Sequence, residues 1–232
     1  MAKSNVEFLA YEQTPLGALC LRRRELLSQP GVSVTEVTLN HEFLMSSLYT
    51  DSERALSRIA IEMHGGDQLR VMVAGLGLGY SAFEALKSED VEQVEVVELL
   101  PQVIGWMKDG LIPLSHQLLE EPRLLVTQAD AYAKLASPAT EKYDLILIDV
   151  DHSPDDRLGA GESFTFYSGE GLALAKQHLR PAGVLGVWSY AESSPFVDAL
   201  RGAFKTVRVE PITHQNELIH QEHTDWLFFA TD

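Results

Sequence analysis

The stretch that most constrains the fold is residues 71–86, where an apolar run leads through a glycine-rich turn into a helical pattern. Residues 71–74 are all apolar, as in a strand buried on both faces of a parallel sheet. Gly75, Gly77 and Gly79 follow, and glycines permit tight turns and close approaches that a Cβ would block. This order predicts a unit that binds a nucleotide at the helix N-terminus, although an ordinary tight turn between strand and helix has the same pattern.

Three acidic residues each end a predicted strand that follows the glycine turn. They are Glu98, Asp130 and Asp149. Because parallel strands end at the same edge of a sheet, these carboxylates predict one nucleotide site at that edge, with Glu98 placed to accept hydrogen bonds from ribose hydroxyls. Each acid considered alone could instead be a solvated loop carboxylate.

These motifs resemble the spermidine synthases, or polyamine aminopropyltransferases, which share the fold of the S-adenosylmethionine-dependent methyltransferases. The resemblance runs from about residue 39 to residue 188 and is carried by GLGLGY, VVEL, EPRLLVTQADAY, KYDLILIDVD, SFTFY and HLRPAGVLGVW. It implies an α/β fold with a doubly wound, mostly parallel seven-stranded sheet. A short N-terminal β-hairpin region, residues 1–48, would precede the S-adenosyl nucleotide-binding domain, residues 49–232.

The resemblance also implies roles for particular residues. Glu98 would hold the ribose, Asp130 the adenine amino group, and Asp149 would be the base that deprotonates the attacking amine. Asp151 and His152 are second candidates for the catalytic base. The expected nucleotide-binding set is Gly75, Gly77, Gly79, Glu98, Leu99, Asp130 and Ala131.

Other positions depart from the family's pattern. Leu78 stands where the family's glycine loop carries an aspartate that binds the aminopropyl ammonium group, and Leu44 or Met45 stands where the family has a glutamine. Leaving that ammonium unpaired in a closed site would cost roughly 2–5 kcal/mol. We therefore expect spermidine synthesis from putrescine to be absent or very slow, and methyl transfer becomes an alternative to aminopropyl transfer.

Two classes of function fit these motifs. The first is transfer of an aminopropyl or methyl group from decarboxylated S-adenosylmethionine or S-adenosylmethionine, leaving methylthioadenosine or S-adenosylhomocysteine, to a small amine or hydroxyl acceptor. The second is a non-catalytic nucleotide-binding homologue, but Asp149 and Asp151 favour an enzyme. A Rossmann dehydrogenase lacks support, because Tyr80 occupies the third glycine position of its motif. We expect no metal, since residues 189–196 lack the Asp-Asn pair of metal-assisted O-methyltransferases.

Charge and composition limit the partners. A net charge of −16 would repel nucleic acid and favour a cationic acceptor, although an acidic surface can also reflect solubility alone. No apolar run approaches the roughly 20 residues of a membrane span. The N-terminus lacks a signal-peptide core, and the single Cys20 suits a reducing compartment. We therefore expect a cytoplasmic protein without membrane partners, and the family resemblance implies a homodimer.

Three further expectations concern the surroundings of the site. Residues 151–163, polar and glycine-rich, are expected to form a mobile lid. His214, His220 and His223 are expected in a solvated loop between the last two strands rather than around a metal. Glu53 is either a carboxylate of the substrate cavity or a residue that complements the dipole of its helix.

Overall fold

The computed structural model describes residues 5–150, 152–155, 166–216 and 221–232. These residues form a four-stranded antiparallel sheet followed by a seven-stranded, mostly parallel sheet with helices on both faces. The expected doubly wound α/β fold is thereby confirmed. No helix within the described ranges is both long and apolar enough to span a membrane.

The N-terminal sheet is larger than the expected hairpin. Its antiparallel strands, in sheet order, are β1 (Val6–Thr14), β2 (Gly17–Glu25), β3 (Ser33–Leu39) and β4 (Glu42–Ser46). The pattern of residues in the sequence indicates β structure from residue 15 to residue 47 but does not reveal β1. A bulge between Phe8 and Ala10 shifts the register of β1 against β2, which breaks the two-residue alternation by which a strand is recognised.

The main sheet has the order β10-β11-β9-β8-β5-β6-β7. Its strands are β5 (Leu69–Ala74), β6 (Val91–Glu98), β7 (Leu124–Gln128), β8 (Tyr143–Ile148), β9 (Leu179–Ser189), β10 (Thr206–Asn216) and β11 (Gln221–Thr231). β11 is antiparallel to both of its neighbours, and the remaining pairs are parallel. The chain order reverses between β5 and β8, and such a switch point leaves a crevice at the carboxyl ends of the strands.

Seven helices accompany these strands in the described part of the chain. They are α1 (Asp51–His64), α2 (Tyr80–Leu86), α3 (Pro101–Lys108), α4 (Ser115–Glu120), α5 (Ala131–Ala136), α6 (Gly169–Lys176) and α7 (Ser194–Ala203). Two apolar clusters fill the faces of the main sheet, one under α1, α2 and α3 and the other under α5, α6 and α7. Residues of β2 and β3 join the first cluster, so the N-terminal sheet packs beside α1.

The glycine turn is fixed against the strand that carries Asp149. Gly75 has a φ of +94°, and a Cβ at this position would overlap the carbonyl oxygen of Asp149. The amide of Asp149 donates to the carbonyl of Ala74 at 2.9 Å. Glycine is therefore required at position 75 by the approach of the protein's own backbone, as well as by its left-handed conformation.

Gly75→Ala should destabilise the fold. The left-handed φ alone costs about 1–3 kcal/mol for a residue with a Cβ, and the overlap with Asp149 adds to it. Thermal unfolding should show a Tm lowered by about 2–4 °C for each kcal/mol lost.

Gly105→Ala in α3 is the matched control. A Cβ there meets no atom within 4 Å, and alanine is about 0.5–1 kcal/mol better than glycine inside a helix. Its Tm should be unchanged or higher, whereas an equal fall in both variants would contradict the account of the turn.

Candidate active site

A cavity of about 320 Å³ lies beside the glycine turn. Residues 76–79 line it, together with the carboxylates of Glu53, Asp149 and Asp225, which form its acidic side. Aromatic residues complete much of the lining, namely Phe43, Tyr49, Tyr80, Trp188 and Tyr190. Among the described residues that line it there is no lysine or arginine, so the cavity carries a concentrated negative charge.

Asp149 follows β8 directly and faces this cavity. Its carboxylate accepts a hydrogen bond from the Ser81 hydroxyl at the start of α2. The amide of His152 donates to Val150, so it does not bind the Asp149 side chain in a capping turn. Burial raises the pKa of Asp149 to about 6, and the negative charge of Asp225 adds to the effect. A carboxylate of this kind is suited to accept a proton near neutral pH.

Glu53 is a carboxylate of the cavity, which decides between the two interpretations of its position. It lies in the first turn of α1, and its side chain points towards the end of β8. Burial, together with the charges of Asp149 and Asp225, raises the pKa of Glu53 to about 8. From the sequence, Glu53 could be recognised only as an acidic residue near a helix start, because it is the fold that brings α1 against β8.

Asp225 and two histidines come from the last hairpin, where the expectation of a solvated loop was wrong. β10 extends as far as Asn216 and β11 begins at Gln221, so His214 and His223 lie within the strands and are directly paired with each other. Both histidines line the cavity, and His214 stacks on Tyr49 with ring centroids 4.3 Å apart. His220 lies outside the described residues.

The spacing of His223 and Asp225 held a signal that sequence reasoning missed. Residues two apart on a strand face the same side, so both point towards the cavity. The His223 Nε2 atom lies 3.1 Å from the Asp225 Oδ1 atom, and Asp225 is buried while His223 is exposed. No group of three or more potential ligands within the described residues has a geometry that could hold a metal ion.

Glu98 ends β6 and fixes the backbone around the expected nucleotide site. Its carboxylate accepts the amides of Leu76 at 2.8 Å and Leu100 at 2.7 Å. Burial raises the pKa of Glu98, and surrounding amides, including those of Gly77 and Leu99, oppose that rise. Ribose binding by Glu98 remains a prediction, and it would require a ribose hydroxyl to share a carboxylate that already accepts backbone amides.

The remaining nucleotide candidates lie at the same edge of the sheet. Asp130 caps α5, and its Oδ1 atom accepts the amides of Tyr132 and Ala133 at 2.8 and 3.1 Å. Ala131 is buried behind it, while Leu99 is exposed after Glu98. These two bonds use the same oxygen of Asp130, which is compatible with the expected contact between the other oxygen and an adenine amino group.

The alternative catalytic bases are placed differently. His152 is buried, and its Nε2 atom lies 3.2 Å from the Tyr132 hydroxyl and 3.0 Å from the Tyr167 hydroxyl. It is not among the residues that line the cavity within the described chain. Asp151, and most of the expected lid, lie outside the described residues.

The positions that depart from the family pattern form an apolar wall. Leu78 is buried and lines the cavity together with Leu44 and Met45. A Cβ on Gly77 would lie 3.0 Å from the Met45 sulfur, so this wall is closely packed. The cavity lining thus combines an apolar wall with three carboxylates.

Comparison with known proteins relates this chain to aminopropyltransferases. No family model matches it. It is similar to the polyamine aminopropyltransferase of Oceanobacillus iheyensis, at 33% identity over 119 residues, and to polyamine aminopropyltransferase 2 of Streptomyces coelicolor, at 32% over 145 residues. These matches cover 50% and 62% of this chain but only 22% and 24% of the relatives' own lengths.

Solved structures share the fold. A spermidine synthase in complex with the transition state analogue AdoDATO has a TM-score of 0.74 at 17% identity, covering 97% of this chain and 73% of that chain. The spermidine synthase from Thermotoga maritima has a TM-score of 0.74 at 16% identity, covering 97% and 72%. At such identities the likeness establishes the fold alone. The curated relatives support the spermidine synthase-like family that the sequence motifs indicated.

Asp149→Asn should stabilise the protein at neutral pH. The folded-state pKa of about 6 exceeds the ordinary value of 3.8, so the folded state binds a proton more tightly than the unfolded state. That contribution to stability is fully present below pH 3.8 and is lost as the pH rises through about 6. Calorimetric scans should show a higher Tm for the variant at neutral pH and convergence with the wild type in acid.

Asp67→Asn is the matched control for this scan. Asp67 is exposed and lies between α1 and β5, so the Tm of the Asp67→Asn variant should equal that of the wild type at every pH. An Asp149→Asn variant no more stable than the wild type at neutral pH would show that Asp149 is not a desolvated carboxylate.

Proposed function

We propose that this chain is an S-adenosyl nucleotide-dependent transferase that moves an aminopropyl or methyl group to a small amine bound in the acidic cavity. One observation carries the proposal: Glu53, Asp149 and Asp225 converge next to the glycine turn in a cavity whose described lining holds no basic residue other than histidine. The curated relatives, which are named aminopropyltransferases, support the transferase class.

The cavity suits an organic cation. Carboxylates withdrawn from water regain favourable interactions when an ammonium group enters, since opposite charges attract more strongly where water is excluded. Tyr49, Tyr80 and Trp188 also line the cavity, and an aromatic face that met the ammonium group would add cation–π attraction, worth about 0.5–2 kcal/mol for each contact made. An anionic acceptor would meet only like charges on the acidic side.

The donor nucleotide would lie across the glycine turn. When bound, it supplies an electrophilic carbon attached to a sulfonium. Glu98 and Asp130 would accept hydrogen bonds from the ribose and adenine, and they already hold the surrounding backbone in place through its amides. The acidic side disfavours a carboxylate on the donor, whereas Leu78 removes the family's partner for an aminopropyl ammonium group, so the two features favour different donors.

Asp149 would act as the base. It takes one proton from the acceptor's ammonium group, and the neutral nitrogen then attacks the donor carbon. The new carbon–nitrogen bond forms as the carbon–sulfur bond breaks, and that bonding pair leaves with the sulfur as a neutral thioether. With its pKa raised to about 6, Asp149 is a stronger base than an ordinary aspartate.

Glu98→Gln should weaken the binding of methylthioadenosine or S-adenosylhomocysteine by roughly 1.5–3 kcal/mol, the value of a hydrogen bond to a charged group. Glutamine retains an acceptor oxygen for one backbone amide, which limits the disturbance of the turn. Glu92→Gln, on the exposed part of the same strand, should bind normally. Isothermal titration measures both affinities, and an unchanged affinity in Glu98→Gln would argue against this nucleotide site.

Asp149→Asn should bind nucleotide normally yet lose transfer to an accepted amine by a factor of about 10² to 10⁴, the usual contribution of a general base. In the wild type, kcat/KM should rise with pH through about 6 as Asp149 ionises. Mass spectrometric detection of the alkylated amine gives the rates. Normal turnover in the variant would remove Asp149 as the base and direct attention to His152.

A further inference from the structure

One hydroxyl group joins two of the cavity carboxylates. The Oγ atom of Ser52, a buried residue of α1, lies 2.7 Å from the Asp225 Oδ2 atom and 3.0 Å from the Glu53 Oε2 atom. The Trp188 Nε1 atom donates to the same oxygen at 3.0 Å. Both carboxylates therefore compete for the single serine proton.

The two contacts of Ser52 with Glu53 and Asp225 require one proton in addition to that of the serine hydroxyl. A serine hydroxyl donates one hydrogen bond, and an ionised carboxylate can only accept. With both carboxylates ionised, one carboxylate oxygen would face a serine lone pair at hydrogen-bond distance, which is repulsive. A protonated carboxyl removes the conflict, because it can donate to the serine oxygen while the serine donates to the other carboxylate.

The contacts indicate which acid holds the proton. Asp225 has a second partner, the His223 ring at its Oδ1 atom, and a nitrogen that carries its hydrogen there donates to and stabilises the ionised form. The other charges around Glu53 also favour its neutral form. Asp149 presents a like charge from the end of β8, and burial together with these charges raises the pKa of Glu53 to about 8.

The basic and phenolic groups near Glu53 do not cancel the rise in its pKa. Arg54, the next residue of α1, forms an ion pair with Glu84 at 3.0 Å and stands over the Tyr80 ring. Tyr80 is itself neutral, since burial raises its pKa above the ordinary value. Across the hairpin, burial lowers the pKa of His214, which favours its uncharged form.

We propose that Glu53 and Asp225 share one proton through Ser52, and that a cation entering the cavity expels it. The choice of an ammonium group as that cation rests on the proposed function. Without ligand the three acids then carry two negative charges, and with a bound diamine they carry three. Glu53 therefore sets how strongly the cavity selects for positive charge, and its ionisation is linked to acceptor binding.

The acid pair can be tested without any ligand. Carbon-13 NMR resolves the glutamate carboxyl groups, and the signal that is absent in Glu53→Gln is that of Glu53. At neutral pH this signal should have the chemical shift of a protonated carboxyl group. Asp225→Asn should lower the titration midpoint of the Glu53 carboxyl group, and Ser52→Ala should reduce the effect of Asp225→Asn on that midpoint. Glu62→Gln, an exposed position of the same helix, should leave the signal unchanged.

Ligand binding tests the expulsion of the proton. Between the pKa values of Asp149 and Glu53, about 6 and about 8, the affinity for 1,4-diaminobutane should rise about tenfold for each pH unit if one proton is released. The affinity of Glu53→Gln should change much less over this interval, and Glu62→Gln should behave as the wild type. Isothermal titration in buffers of different ionisation enthalpy counts the released protons directly.

The two measurements separate the failure of this inference from the failure of the proposed function. A Glu53 carboxyl that is ionised at neutral pH, or that ignores Asp225→Asn, overturns the shared proton. So does diamine binding with the same pH dependence in the wild type and Glu53→Gln. If 1,4-diaminobutane does not bind at all while the NMR titration finds the shared proton, the proton shared by Glu53 and Asp225 is supported. The same result contradicts both the expulsion of that proton by an amine and the proposed amine acceptor.

Discussion

The contact of Gly75 with the backbone of Asp149 is the constraint on which the site depends. It joins β5 to β8 at the point where the sheet order reverses, and it brings the glycine turn against a carboxylate. Glu98 then holds the following amide of Leu76, so the turn is fixed from both neighbouring strands. Because these bonds are made by the protein itself, the site is formed before any ligand arrives, and little ordering remains to oppose binding.

The acidic side of the cavity costs stability in the absence of a ligand. Glu53, Asp149 and Asp225 come from α1, β8 and β11, and each approaches the others without a neutralising lysine or arginine in the described lining. The fold tolerates them through hydroxyl partners, Ser81 for Asp149 and Ser52 for Asp225, and through retained protons. A bound cation would relieve this repulsion between like charges, and this is the physical basis for proposing an amine acceptor.

Local patterns in the sequence predicted the buried strands and the turns that follow them. The apolar run before Gly75 and the acids that end β6 and β8 are recognisable, because buried parallel strands and the turns after them leave short-range signatures. β1 was missed because its bulge breaks the alternation of side chains. The sequence left Glu53 between two alternatives, and the spacing of His223 and Asp225 indicates only that they share one face of a strand. Their convergence depends on the packing of α1 and the last hairpin across the sheet, which no local pattern reveals. His152 follows Asp149 by only three residues, yet it contacts Tyr132 and Tyr167 instead of the cavity lining.

The central claim is that one edge of the sheet holds a nucleotide beside an acidic amine cavity. A crystal structure with methylthioadenosine and 1,4-diaminobutane together tests it most directly. The account predicts ribose hydroxyls hydrogen-bonded to Glu98, and an amine nitrogen between Asp149 and the thioether sulfur. A nucleotide bound away from Glu98, or a diamine bound outside the cavity that Glu53 and Asp225 line, would contradict it.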